Sequence, residues 1–277
     1  MIPFKCRGWD STWTPFIRKE EIWEYAEKVV EDYKPSLMKD PEPLNVPHFL
    51  ESYLGATLDY QDIYYDRTDD PIAGATIFND SRIRVFDREG QCTRTIRVPA
   101  GTIIIDNSTV ELGNKGFEAF TGLHEGGHFL MHNEAYRKRP VRGGCYRQTK
   151  TSSVVCCRRS TMYGKLRESG PPTPEQIREQ QANIFAAFAA MPRQTFVPLA
   201  TELIRERGNT EGYLYGDEGD FDIDTDLEYI CGKLMEVYGV SFTAAKIHLK
   251  ELDLFVPFSG AFSRWYLKEM YKKQRYR

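Results

Sequence analysis

The first apolar rhythm in the chain is helical. Ile22, Tyr25, Ala26, Val29, Val30 and Tyr33 recur at three- and four-residue intervals, which predicts an amphipathic helix over 17–34. Glu20 and Glu21 suit its first turn, where unpaired N–H groups favour carboxylates, and Pro35 stops it. A second, short helix fits 46–53, closed by Gly55. From 57 to 106 the rhythm changes to short β-rich runs punctuated by Gly, Asn and Asp. Candidate strands are 76–78, 83–86, 93–98 and 102–105, with turns at Asn79-Asp80-Ser81-Arg82 and Glu89-Gly90. They predict a small mixed or antiparallel sheet. Ile103-Ile104-Ile105 is apolar on both faces and belongs at its centre.

Helical spacing returns over 116–133, where Phe117, Phe120 and Leu123 supply a packing face. Thr173-Pro174-Glu175-Gln176 is a helix start: a Thr cap, Pro in the first position and Gln three residues after the cap. That helix stops before Pro192. Glu179, Ala182, Asn183 and Ala186 share one of its faces, and the small residues allow close approach to a neighbour. Further helices fit 198–207, 227–238 and 242–251, the last capped by Ser241. The class is α+β. Residues 1–192 form a core in which the sheet packs on the 116–133 helix, and 193–277 form a helical region packed on that core. Gly126 and Gly127 each cost about 0.8–1.0 kcal/mol relative to Ala inside a helix. The expected compensation is close approach of another backbone.

Composition adds exclusions. Apolar residues at 41% and charged residues at 28% are those of a soluble globular protein. The net charge of −3 draws the chain to neither nucleic acid nor membrane. No apolar run reaches the roughly 20 residues of a membrane helix. Residues 1–16 carry Lys5, Arg7 and Asp10 and do not read as a secretory signal. Six irregularly spaced cysteines then read as reduced thiols of a cytoplasmic protein. Adjacent Cys156 and Cys157 lack the CxxC spacing of a metal half-site.

Charge is uneven locally. Residues 137–167 hold ten basic side chains and no acidic one, which reads as a long loop. It is either a solvated connection or a basic flap attracting acidic substrate segments. Residues 202–228 hold ten acidic side chains against two Arg. Asp220, Asp222 and Asp224 have calcium-loop spacing, but Thr225 stands where Gly is needed and Cys231 where Glu is needed.

The chemistry concentrates in Leu123-His124-Glu125-Gly126-Gly127-His128-Phe129-Leu130-Met131-His132, which contains HExxH. On a helix His124 and His128 lie one turn apart on one face and can converge on a Zn²⁺. Glu125 can reach a water there as general base. His132 is eight residues from His124, about 12 Å along a helix. All three imidazoles cannot meet on one ion, so His132 packs or supports a ligand. The longer HExxHxxGxxH pattern fails at Met131 and Glu134. For the third ligand Glu179 is the better candidate and Glu175, one turn earlier, the runner-up. Glu134 would serve only if the motif helix ended early.

Three blocks resemble the ImmA/IrrE family of zinc metallopeptidases. The first is Glu118-Ala119-Phe120-Thr121-Gly122-Leu123-His124-Glu125-Gly126-Gly127-His128. The second is Glu179-Gln180-Gln181-Ala182-Asn183-Ile184-Phe185-Ala186-Ala187 with Met191-Pro192. The third is Tyr238-Gly239-Val240-Ser241-Phe242-Thr243-Ala244-Ala245-Lys246-Ile247-His248-Leu249. The resemblance spans roughly residues 20–255. It implies a zincin-like core, zinc on His124, His128 and Glu179, and catalysis through Glu125. It also implies a zinc endopeptidase that cleaves a repressor-type transcription regulator of a mobile element or stress operon. That substrate would be supplied in trans. Gly126 departs from the family's large apolar residue, and the basic loop is enlarged. The oxyanion-stabilising residue is open, with Tyr146 and Tyr163 as candidates.

Two readings of other classes remain. The helices over 227–252, joined at Gly239-Val240-Ser241, look like a helix-turn-helix whose second helix would offer Lys246, His248 and Lys250 to DNA. That set is small, so direct nucleic-acid binding is not expected, and the pair more naturally packs on the core or holds a protein partner. The other is a protein-binding regulator that keeps a zinc site without turnover.

Overall fold

The computed structural model describes residues 1–65, 70–136, 154–162 and 171–257. Helix α1 (Lys19–Tyr33) forms where the apolar rhythm places it, and Glu21 Oε2 accepts the Arg18 N–H at 2.8 Å to close its first turn. Helix α2 (Val46–His48) widens at once into a π-helical turn (Phe49–Tyr53), and Gly55, at φ +71°, ends it. The strands are β1 (Thr57–Gln61), β2 (Ile72–Ile77), β3 (Ser81–Asp87), β4 (Cys92–Val98) and β5 (Thr102–Asp106). Helices α3 (Asn107–Glu111), α4 (Lys115–Met131) and α5 (Asn133–Tyr136) follow.

The main sheet has the order β1-β5-β2-β6, where β6 is Val154–Arg158. Strands β1 and β5 run parallel; β2 is antiparallel to both β5 and β6, so the sheet is mixed. β5 is internal, as its two apolar faces require. Ile103 and Ile105 join the large helical core, while Ile104 joins a smaller cluster with Ala75, Ile77, Val98 and Ile63. The β3–β4 hairpin is a separate two-stranded sheet that covers this second face.

The expectation of a loop over 137–167 is overturned in part. Val154-Val155 is β-branched, and the segment pairs with β2 as an edge strand before passing into α6 (Arg159–Met162). The basic residues at 137–153 and 163–167 lie outside the described residues. The C-terminal half differs at helix starts. After α7 (Pro174–Ala190), α8 (Arg193–Glu206) begins just after Pro192 rather than at Pro198, so Pro198 sits inside the helix. The short strand β7 (Leu214–Tyr215) precedes α9 (Phe221–Tyr238), which starts six residues before its apolar rhythm does. The Asp220 side chain accepts the Asp222 N–H, and Asp222 and Asp224 occupy the first turn. The aspartates with calcium-loop spacing are thus a helix N-terminus, favoured by its dipole.

Helix α9 ends at Gly239, φ +66°, and α10 (Phe242–Glu251) begins after Ser241, whose Oγ accepts the Ala244 N–H at 3.2 Å. Strand β8 (Phe255–Val256) pairs with β7. The α9–α10 turn lies against the start of α4: a Cβ on Gly116 would come within 2.5 Å of the Ser241 nitrogen and the Val240 carbonyl carbon. One hydrophobic core runs from Ile22 and Val29 through Leu123, Phe185 and Ile230 to Leu249. Among the described residues no helix is long and apolar enough to cross a membrane.

Candidate metal centre

Helix α4 starts at Asn114, whose side chain accepts the Phe117 N–H at 3.0 Å. Its seventeen residues carry His124 and His128 one turn apart, both fully buried, with their Nε2 atoms 3.0 Å apart. Helix α7 starts with the reciprocal cap read from the sequence: Gln176 N–H to Thr173 Oγ1 at 3.2 Å, Thr173 N–H to Gln176 Oε1 at 2.8 Å. It packs along α4 at the small-residue positions. A Cβ on Gly127 would meet Phe185 at 3.1 Å and the Ala182 Cα at 3.4 Å. Gly127 therefore has the close approach its helix cost demanded. Gly126 faces the other way, onto the Leu50 and Leu54 side chains, so its compensation is side-chain packing rather than a second backbone.

That contact places Glu179 over both imidazoles. Its Oε2 stands 3.3 Å from His124 Nε2 and its Oε1 3.2 Å from His128 Nε2. Metal–nitrogen and metal–oxygen bonds of about 2.0–2.1 Å at tetrahedral angles imply ligand–ligand edges of roughly 3.3 Å. The imidazole–imidazole edge is 3.0 Å, and the carboxylate meets the two rings through different oxygens, Oε2 at 3.3 Å from His124 and Oε1 at 3.2 Å from His128, so it straddles the position an ion would take. By the looser measure of donor atoms all within 4.8 Å of one another, the described residues that could hold a metal ion are His124, Cys157 and Glu179, a group that does not include His128.

The electrostatics ask for a cation. Burial opposes ionisation of Glu179, but His128 and His124 outweigh it and hold the carboxyl below its ordinary range. Burial likewise opposes a charged His124, yet Glu179 raises its pKa, whereas burial wins at His128 and lowers it. Burial pushes Glu125 up to about 8. Burial thus favours a neutral Glu125, and among the described residues neither Glu179 Oε2 nor Glu125 Oε1 has a well-aligned hydrogen-bond partner. A divalent cation would compensate them directly.

A hydrogen-bond chain sets which ring nitrogens carry protons. Gln181 Nε2 donates to the Pro15 carbonyl at 3.0 Å, which can only accept, so Gln181 Oε1 faces His132. His132 Nε2–H donates to that oxygen at 2.9 Å. Burial keeps His132 well below its ordinary pKa, hence neutral, and its Nδ1 accepts from His128 Nδ1–H at 2.9 Å. His128 Nε2 is left with a lone pair toward the centre. His124 Nδ1 lies 2.8 Å from Asn183 Oδ1, which gives it the same tautomer. Glu125 is oriented separately: Thr76 Oγ1 donates to its Oε2 at 2.5 Å and lies 3.1 Å from its carbonyl oxygen. Gly74 gives the other carboxylate oxygen room, since a Cβ there would stand 3.0 Å from Glu125 Oε1.

The structure thus brings together His124, Glu125, His128 and Glu179. Glu175 is excluded: its side chain is 70% exposed and pairs with Arg178 at 3.0 Å. Glu134 lies on α5 and is not among the donors that meet here. His248 is buried, with Nε2 3.0 Å from the Met191 carbonyl, and His48 lies at the surface beside Tyr33. Tyr146 and Tyr163 lie outside the described residues. Sequence reasoning missed Thr76, Asn183 and Gln181 around the site, and it set Cys157 aside for want of CxxC spacing. The β-branched pair before Cys156-Cys157 was the available signal for the last. No family model and no curated protein matches this chain.

Proposed function

We propose that the chain is a zinc-dependent endopeptidase with a zincin-like core, working in the cytoplasm on a repressor-type regulator supplied in trans. The observation that carries the reading is the convergence of His124, His128 and Glu179 beside a buried carboxylate, Glu125, that is not one of the three. The three sequence blocks that resemble ImmA/IrrE peptidases support it. His124, His128 and Glu179 would hold zinc, which when bound supplies Lewis acidity that polarises a carbonyl and lowers the pKa of water toward about 7. Glu125 would take the proton of the attacking water at Oε1 and hand it to the leaving amine. Thr76 fixes the other oxygen, so the carboxylate meets the water in one orientation. The protonated Nδ1 atoms of His124 and His128 keep both Nε2 lone pairs turned inward.

The DNA-binding reading has less behind it. Lys246 and Lys250 both pair with Glu218, and His248 lies beneath α10 in the core. The α9–α10 pair packs on α7 and α8 instead, with His248 against Phe188 and Phe196 and Tyr238 against Phe196, and its turn meets α4 at Gly116. The deciding experiment is Glu125→Gln. The variant should fold and keep about one zinc per chain, while cleavage of the partner repressor falls by at least ~10²–10⁴. Equal cleavage by both forms would sink the mechanism. Zinc affinity should fall in Glu179→Ala and stay unchanged in Glu175→Ala.

A further inference from the structure

The geometry points to Cys157 as a fourth protein donor that closes the metal centre at rest. The inference rests on the metal reading above and concerns the regulation of that site. It begins with register. Cys157 of β6 pairs directly with Gly74 of β2, and opposed residues of an antiparallel pair project to the same face. That face is the one Thr76 turns to Glu125. Gly74 has no side chain, so nothing from the partner strand screens the sulfur from α4. The register shift between Ile72 and Gly74 leaves Ala73 to pack with Cys157 and Phe117 under the N-terminal half of α4. Cys157 is fully buried, and its Sγ makes a long contact of 3.7 Å to the Arg158 carbonyl.

A second observation points the same way. Glu179 Oε2 is buried, with His124 Nε2 3.3 Å away, the Cys157 thiol within reach and no well-aligned hydrogen bond. Sγ, His124 and this carboxylate already lie within 4.8 Å of one another. A tetrahedral site with zinc–sulfur and zinc–nitrogen bonds of about 2.3 and 2.0–2.1 Å has sulfur–nitrogen edges of roughly 3.6 Å. From that limit, movement of about an ångström brings the sulfur to ligand distance on the His124–Glu179 side; His128 is not in the cluster, and the sulfur reaches an ion shared with it only by moving inward past His124. On ligation the S–H bond breaks, its proton leaves to solvent, and the thiolate binds the metal. Two imidazoles, a carboxylate and a thiolate fill the coordination of a structural zinc site, whereas catalytic sites keep a position open. Turnover then requires the sulfur to swing off, and the resting enzyme is latent. Cys156, one residue earlier, points to the opposite face and is exposed, which makes it the internal control.

Cobalt(II) chloride titrated into the metal-free whole chain tests this. We expect one cobalt per chain and a thiolate-to-cobalt charge-transfer band in the near ultraviolet. Cys157→Ser should abolish the band and weaken cobalt binding at least ~10-fold, and Cys156→Ser should leave both unchanged. Cobalt bound without the band, or with a band that survives Cys157→Ser, overturns the fourth donor and leaves the three-ligand centre standing. No cobalt binding by wild type, or equal binding by His124→Ala, overturns the metal centre and the fourth donor together.

Discussion

The hydrogen-bond chain behind His128 makes a prediction that does not depend on knowing the substrate. In His132→Leu the imidazole that both donates to Gln181 Oε1 and accepts from His128 Nδ1–H is gone. Both surviving groups are buried, so each becomes an unpaired polar group at roughly 1–3 kcal/mol, about 2–6 kcal/mol together. Burial of the apolar leucine side chain offsets part of that. We expect the metal-free variant to be less stable by about 1–4 kcal/mol, against a total of some 5–15 kcal/mol for a domain. There is a second consequence. With no acceptor behind it, His128 is relieved of the need to hold its proton on Nδ1, and the tautomer with Nε2–H pointing into the centre becomes accessible. Zinc affinity should fall ~10–100-fold, the usual cost of losing a group that orients a ligand. Urea unfolding of the metal-free protein and chelator competition for zinc measure the two effects separately. Gln181→Leu should break the same chain one link further back, and the two substitutions should be non-additive by about 0.5–3 kcal/mol. Wild-type stability and wild-type zinc affinity in His132→Leu would refute the tautomer argument.

Two other substitutions test parts of the structure away from the centre. Gly116→Ala puts a methyl group 2.5 Å from the backbone of Val240 and Ser241, so stability should drop by about 1–3 kcal/mol despite alanine's better helix propensity; a rise in stability measured in urea would show that the α9–α10 turn does not sit there. His248 is held neutral by burial, its pKa pushed down to about 3. Above pH ~6.5 neither folded nor unfolded chain protonates it; as pH falls from there to about 3 the unfolded chain binds a proton the folded chain refuses, and stability is lost by up to ~1.4 kcal/mol per pH unit. His248→Gln should therefore flatten the stability–pH curve in that window, and parallel curves for the two proteins would disprove the burial.

Much of the centre was legible because helical geometry is local. His124 and His128 converge because four residues make about one turn, whatever surrounds them. Thr173, Pro174 and Gln176 start α7 through contacts three residues apart. The β-branched runs and Ile103-Ile104-Ile105 likewise carry their strand character within themselves. What the chain could not disclose is held by partners distant in sequence. Thr76 reaches Glu125 across 49 positions, His132 reaches Gln181 across 49, and Gln181 reaches Pro15 across 166. Glu175 and Glu179 sit one turn apart on the same helix, and only the docking of α7 on Gly127 sends Glu179 to the imidazoles and leaves Glu175 exposed, paired with the buried Arg178. Asp220, Asp222 and Asp224 read as the start of a helix only once the helix exists to be capped. Val154 to Arg158 is basic enough in its surroundings to pass for loop. Its pairing with β2 was decided by an open sheet edge, and that pairing, which no local pattern encodes, carries Cys157 to His124 and Glu179 and turns Cys156 away.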